Sequence, residues 1–269
     1  LAGAIFAGVL PLGRYTANIQ FVYGGTTRTI PVNLYVFLAH KHDYEQNGII
    51  NFDDIIRLLR RVSNLPGFET CPAGTICDIN NDGNVTITDL AAAIEIIKYL
   101  HDYDSNLIVN ENDYFMLSSV LGTSQCWSGR ICDINADGVI NLDDLRELRR
   151  FIMNLYDHNS DRFLDGNDIN ELLNLISRGT PCSVVKTCDI NNDRLVDRRD
   201  AIRLRAVIVD LYDYNNDNRL DTSDVSILNT VVAGSACRPR KICDVNDNGV
   251  VDASDVSRLL GIISSLPTL

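Results

Sequence analysis

The chain has 269 residues with 24 bases and 36 acids, a formal charge of −12. This length holds one or two ordinary domains or several small ones, and the acidic balance argues against nucleic acid as a partner. One tryptophan, Trp127, and 7% aromatic residues leave no sugar-stacking platform.

Residues 1–39 contain no acid and only two bases, Arg14 and Arg28. They open on LAGAIFAGVLPLG, with no initiator Met and no basic leader ahead of it. That stretch is too short to span a bilayer, and the chain reads as processed and secreted. Tyr15, Ala17, Ile19, Phe21 and Tyr23 alternate with Thr16, Asn18, Gln20 and Val22, which predicts a strand. Gly24–Gly25 predicts a turn, and Thr29 to Leu38 a second strand that is apolar on both faces. A two-stranded hairpin does not hold itself in water. Three covers stay open: the first loop–helix module of this chain, a β-domain cut away upstream, or a sheet shared with a neighbouring subunit. In the third, LAGAIFAGVL is the exchanged strand, and a head-to-tail contact of that kind produces a fibre.

From Asp43 onward one acidic twelve-residue pattern recurs eight times. The clearest copy has Asp78, Asn80, Asp82, Thr86 and Asp89 at positions 1, 3, 5, 9 and 12, with Gly83 at position 6. This is the spacing of a loop that wraps calcium in oxygens, a backbone carbonyl serving at position 7. The first loop offers Asp43, Glu45, Asn47, Asn51 and Asp54. The third and fourth offer Asp102, Asp104, Asn106, Asn110 and Asp113, then Asp133, Asn135, Asp137, Asn141 and Asp144. The fifth and sixth offer Asp157, Asn159, Asp161, Asp165 and Asp168, then Asp189, Asn191, Asp193, Asp197 and Asp200. The last two offer Asp213, Asn215, Asp217, Asp221 and Asp224, then Asp244, Asn246, Asn248, Asp252 and Asp255. The position-7 carbonyls are those of Ile49, Asn84, Ile108, Val139, Phe163, Leu195, Arg219 and Val250. These loops hold 27 of the 36 acids, so eight bound dications would change −12 to about +4 and folding should depend on the metal.

Gly48, Gly83, Gly138 and Gly249 provide the sharp turn at position 6, but Leu107, Arg162, Arg194 and Asn218 stand there in the other loops. Those four must take a left-handed backbone. Each twelfth residue opens an amphipathic stretch, such as DIIRLLRRVSNL from Asp54 or DLRELRRFIMNL from Asp144, which predicts helices of about three turns. Position 8 is always aliphatic (Ile50, Val85, Val109, Ile140, Leu164, Val196, Leu220, Val251), which predicts a short β-bridge between paired loops.

The eight cysteines form pairs six residues apart: Cys71/Cys77, Cys126/Cys132, Cys182/Cys188 and Cys237/Cys243. An even count at one spacing reads as disulfides and an oxidising compartment; zinc would want nearby histidines, and none is there. Pairs recur every 55 or 56 residues, so the repeat is a double unit of two loops and two helices.

This double unit resembles the dockerin family, small extracellular modules of two EF-hand-like calcium loops, each followed by a helix, with Asp at position 12. The resemblance covers Asp43 to Leu266 and implies a mostly α fold of four tandem modules, 40–100, 101–155, 156–211 and 212–269, behind a β-segment over 1–39. Tyr99–Leu100–His101, Asn154–Leu155–Tyr156 and Asp210–Leu211–Tyr212 leave no linker between modules, so they should stack as a stiff rod. Pro267 and Thr268 stand where Tyr and Asp would begin another module. Dockerins bind cohesin domains through positions 10 and 11, usually Ser-Thr-like. Here those read Phe52–Asp53, Ile87–Thr88, Glu111–Asn112, Leu142–Asp143, Gly166–Asn167, Arg198–Arg199, Thr222–Ser223 and Ala253–Ser254, with no shared signature.

No catalytic arrangement stands out. His101 and His158 read as surface residues beside loops, and His40–Lys41–His42 as a solvated lead into the first. The expectation is an extracellular structural protein holding about eight Ca2+, not an enzyme, that forms filaments through residues 1–39. The alternative is a multivalent adaptor for cohesin-like partners.

Overall fold

A computed structural model describes residues 13–23, 26–36, 39–67, 70–127, 129–238 and 241–269, with side chains from residue 41 onward. It is mostly helical, with eight α-helices among those residues. None is long and apolar enough to cross a membrane. The chain divides into two compact units, residues 1–96 and 97–269, with the division inside the second helix.

In the first unit, the backbones of β1 (Gly13–Tyr23) and β2 (Thr26–Val36) pair antiparallel, from Gly13 opposite Val36 to Tyr23 opposite Thr26. The proposed exchange strand 1–10 and the Gly24–Gly25 turn lie outside the described residues. A 3-10 turn over Ala39–His42 leads into the first loop, α1 (Phe52–Val62) follows it, and α2 (Ile87–His101) follows the second. Ile55, Leu58, Leu90, Ala93 and Tyr44 form the core. Apolar side chains three and four residues apart along each helix make that face.

The second unit holds α3 (Glu111–Ser119), α4 (Leu142–Tyr156), α5 (Gly166–Arg178), α6 (Arg198–Tyr212), α7 (Thr222–Val232) and α8 (Ala253–Ser265). Successive helices pack as pairs, α3 with α4, α5 with α6 and α7 with α8; α3 also meets α6, and α5 meets α8.

All eight helices begin at loop position 10, two residues before the predicted start. The reason is the cap. Position 9 is the N-cap in seven of them, and its side chain accepts from the position-11 N–H, while the position-12 Asp accepts from the N-cap N–H. Thr86 and Asp89 make the same two bonds at α2. Position 12 is thus the third helical residue of a capping box rather than the first.

One junction recurs wherever a loop pair begins. The residue before the second cysteine of each pair donates its N–H to a carbonyl two residues ahead of the odd-numbered loop: Ile76 to Lys41, Ile131 to Leu100, Thr187 to Leu155 and Ile242 to Leu211 (2.9–3.2 Å). The four disulfides Cys71–Cys77, Cys126–Cys132, Cys182–Cys188 and Cys237–Cys243 close that turn. Tyr44, Tyr103 and Tyr214, each at loop position 2, donate their hydroxyls to the carbonyls of Ile76, Ile131 and Ile242. Basic side chains two residues before the second cysteine cap the preceding helix: Arg130 to Tyr99 O, Lys186 to Asn154 O and Lys241 to Asp210 O. A cation there meets the negative end of the helix dipole.

These junctions replace the predicted β-bridges. Among the described residues no backbone bond joins Val109 to Ile140, Leu164 to Val196, or Leu220 to Val251. Val196 is 46% exposed, and the Val109 carbonyl instead takes the hydroxyl of Tyr156. The histidines also depart from expectation. His42 and His101 are 2% and 1% exposed, and His158, half-buried, stands at the loop position that tyrosine fills in three other loops. His42 and His101 each directly follow a junction carbonyl, and His158 comes three residues after one, where the chain folds back on itself.

Within the second unit the stacking also reaches beyond nearest neighbours. Arg149 of α4 is 4% exposed and donates to the carbonyls of Asp244 and Val245, and Arg150 pairs with Asp247. A rod of units touching only the next would not bring these together. Replacing Arg149 leaves two buried carbonyls without their donor, so Arg149→Ala should cost about 2–3 kcal/mol in urea unfolding. A loss under about 0.5 kcal/mol would mean the contact is not formed.

Candidate metal sites

The eight loops share one hydrogen-bond frame. The position-1 Asp accepts from the N–H of position 5 through one oxygen and of position 6 through the other, at 2.8–3.2 Å in every loop. The position-5 side chain accepts the position-7 N–H, from Asn47 with Ile49 through Asn248 with Val250.

The position-12 Asp takes the most. One oxygen accepts from position 3 at 3.1–3.4 Å. In six loops it also accepts from position 2. The other oxygen accepts from position 9 at 2.8–3.0 Å. These eight carboxylates are at most 1% exposed. Burial pushes the Asp54, Asp113 and Asp168 carboxyls up to about 7, against the lowering by backbone N–H bonds, and neighbouring acids push the same way. Asp224 is raised for the same first reason.

Backbone shape repeats too. Leu107, Arg162, Arg194 and Asn218 take φ of 69°, 71°, 70° and 63°, the left-handed turn that glycine supplies in the other four loops. Position 4 is left-handed in all eight loops as well: Gln46, Asn81, Ser105, Ala136, Ser160, Asn192, Asn216 and Asp247, with φ of 57–62°. The pattern of ligands gives no hint of this, although the frequency of Asn and Ser at position 4 does, since short polar side chains tolerate that region.

The donors are carboxylate, amide and backbone oxygens and the Thr86 hydroxyl, with no cysteine or histidine among positions 1, 3, 5, 9 and 12. Such a set suits calcium or magnesium and not zinc. In the third loop, Asp102, Asp104 and Asp113 bring one oxygen each within 4.8 Å of one another. There Asp stands at position 3, where six loops have Asn. In five of those six the amide instead donates to the position-5 carboxylate: Asn80 to Asp82, Asn135 to Asp137, Asn159 to Asp161, Asn191 to Asp193 and Asn215 to Asp217. Arg130 and Lys186 approach the first residues of the third and fifth loops, Asp102 at 3.8 Å and Asp157 at 3.9 Å. Their heads are committed to helix carbonyls, so they offset part of the negative charge without closing the loop. His158 is half-buried with both ring nitrogens out of solvent and unbonded, and burial, aided by Lys186, lowers it to about 4.

Comparison with protein-family models, curated proteins and solved structures finds no match.

The raised carboxyls set a pH dependence for the chelated protein. Their folded pKa lies above the unfolded value, so their contribution is complete below about 4 and is lost as pH rises through about 7. In excess chelator, the melting temperature should fall between pH 5 and pH 8 by about 5 °C or more. In millimolar calcium it should rise over the same range, because protons compete with the ion. A chelated protein indifferent to pH would show that these carboxylates are not held out of water. Valine at position 6 tests the turn: Gly138→Val places a β-branched residue at φ 90° and should cost about 1–3 kcal/mol by chemical denaturation.

Proposed function

We propose that the chain is an extracellular structural protein made of four dockerin-like modules clamped by about eight calcium ions. In this reading it is a filament subunit that assembles through its N-terminal strands. The observation that carries the calcium clamp is the eightfold frame, in which a buried position-12 carboxylate fastens both ends of its loop and the start of a helix. Eight such anions repel one another and cost desolvation unless each meets a cation. A dication at each loop offsets both, and small modules with little apolar core gain the rest from disulfides. Calcium supplies charge here, while the residues supply shape: positions 1, 3, 5, 9 and 12 with the position-7 carbonyl form the cage.

The four disulfides and the lack of a long apolar helix among the described residues are compatible with secretion. Assembly rests on residues 1–39, which contain the one β-pair of the described chain and two cations against the acidic remainder. Two positions through which a dockerin would bind a cohesin are already taken: Glu111 accepts from Arg203 at 2.6 Å, and the Gly166 N–H donates to Ser265. That counts against the adaptor reading.

Calcium titration by calorimetry should give about eight sites, and chelation should lower the melting temperature by 15 °C or more, on the order expected from several ions at saturating concentration. Electron microscopy of the whole chain in millimolar calcium should show filaments that disappear when residues 1–39 are removed. Isolated particles in both samples, together with nanomolar binding to a cohesin domain, would replace the filament by the adaptor.

A further inference from the structure

Position 5 is an acid in five loops (Asp82, Asp137, Asp161, Asp193 and Asp217) and an amide in three, Asn47, Asn106 and Asn248. Two of those amides precede glycine. Asn47–Gly48 and Asn248–Gly249 are the only Asn–Gly pairs in the sequence, whereas Asn106 precedes Leu107. Asparagine is a thermally labile residue, and it loses its amide when the next backbone nitrogen attacks the side-chain carbonyl. A following glycine leaves that nitrogen unshielded. Both pairs are exposed, and a Cβ on Gly48 or Gly249 would meet nothing within 4 Å, so the approach is open on every side.

The loop frame holds both reacting groups. The Gly48 N–H donates to the Asp43 carboxylate at 2.8 Å, and the Gly249 N–H to that of Asp244 at 2.9 Å. An anion accepting from that N–H stands where a base must take its proton. The amide oxygens of Asn47 and Asn248 accept the N–H groups of Ile49 and Val250, both at 2.8 Å. Those donors face the negative charge that gathers on the oxygen when the carbonyl is attacked. The two NH2 groups are held loosely, Asn47 toward Glu45 at 3.4 Å and Asn248 toward Ser254 at 3.5 Å. The third loop makes the same two frame bonds, from Leu107 to Asp102 at 3.1 Å and from Ile108 to Asn106 at 2.7 Å. It differs in the side chain on the attacking residue, which makes it an internal control.

We infer that Asn47 and Asn248 are modification sites, deamidated within the folded loops through a succinimide. The glycine nitrogen bonds to the asparagine side-chain carbon and closes a five-membered ring. Its proton passes to the carboxylate of Asp43 or Asp244 and on to the amide nitrogen, whose bond to carbon breaks as ammonia leaves. Water then adds to the imide. Opening at the side-chain carbonyl gives aspartate, and opening at the main-chain carbonyl gives isoaspartate. Aspartate supplies the position-5 acid that five loops already have. The eighth loop alone has amides at both positions 3 and 5, and there it completes the Asn–Asp pair of the second, fourth, fifth, sixth and seventh loops. Isoaspartate instead runs the main chain through the side-chain methylene and parts the next two N–H groups from their acceptors. The conversion stands on these residues alone; its effect on an ion rests on the calcium reading above.

The test ages the full chain in excess chelator at neutral pH, below its melting temperature. Peptide mass spectrometry follows the three amides over time, with fragmentation that separates aspartate from isoaspartate. Asn47 and Asn248 should convert at least about tenfold faster than Asn106, and no slower than in the same chain unfolded in urea. Asp244→Asn, which removes the charge of the acceptor, should bring Asn248 down to its rate in urea while Asn47 keeps its own. Equal rates at the three amides would overturn the inference, as would conversion slower in the folded chain than in urea. So would an Asp244→Asn chain in which Asn248 keeps its full rate. A parallel sample in millimolar calcium separates the two readings, because Asp43, Asn47, Asp244 and Asn248 are then ligands and conversion should slow. Conversion equally fast with calcium would count against ions in these two loops and leave the modification standing.

Discussion

The fold depends on a buried aspartate that is shared between a loop and a helix. At position 12, one carboxylate takes the N–H groups that begin its loop and the N–H that ends it, and it is also the third residue of the helix that follows. Folding the loop and starting the helix are thus one event. Such an anion at a helix N-terminus is favoured by the dipole and by the orphan N–H groups it satisfies. Those bonds lower its pKa, yet burial outweighs them in the first, third and fifth loops. The imbalance defines what the loops lack. Asp holds this position where Glu would place the carboxylate one methylene farther out, and the shorter arm lets both oxygens reach the backbone.

The loops were legible because their spacing repeats eight times, and the cysteine turns because theirs repeats four times. Left-handed backbone at Leu107, Arg162, Arg194 and Asn218 followed from position alone, since a loop that keeps its carboxylates must keep its turn. Other features were not legible, each for a physical reason. The helix starts lay two residues early because a capping box looks like loop sequence until its reciprocal bonds are seen. His42, His101 and His158 read as solvent-facing because polarity predicts exposure, but they sit where backbone folds over them. The β-bridge at position 8 failed where Tyr156 claims the Val109 carbonyl. Arg149 reaches a loop 95 residues away, a distance that no local period encodes.

Long-range arginines give this array a second set of contacts besides its loops and disulfides. Arg203 with Glu111, Arg258 with Asp165 and Arg149 with the eighth loop each join helices to loops more than ninety residues apart. Arg258 also lies over the Phe163 ring at 3.9 Å, so its charge is opposed by a carboxylate and a π-face together. Two of these arginines end on acids at positions 9 and 10 of odd-numbered loops. The arginine fixes the helix start that the loop shares. Were an ion held in such a loop, as proposed above, its affinity and the packing between loop pairs would be coupled, each strengthening the other by the same free energy.

That coupling gives the chain a direction. Odd-numbered loops 3 and 5 have their helix starts covered by a later helix, whereas the seventh has Asp221 half-buried and Thr222 exposed. Among the described residues no arginine bonds to Asp221 or Thr222 at the seventh loop, whereas the Glu111 carboxylate takes Arg203 and the charge of Asp165 is shared with Arg258 at 2.9 Å. If the loops hold calcium as proposed, the seventh has no arginine bond at its helix start to help fix the cage, and it would release its ion before the third and fifth.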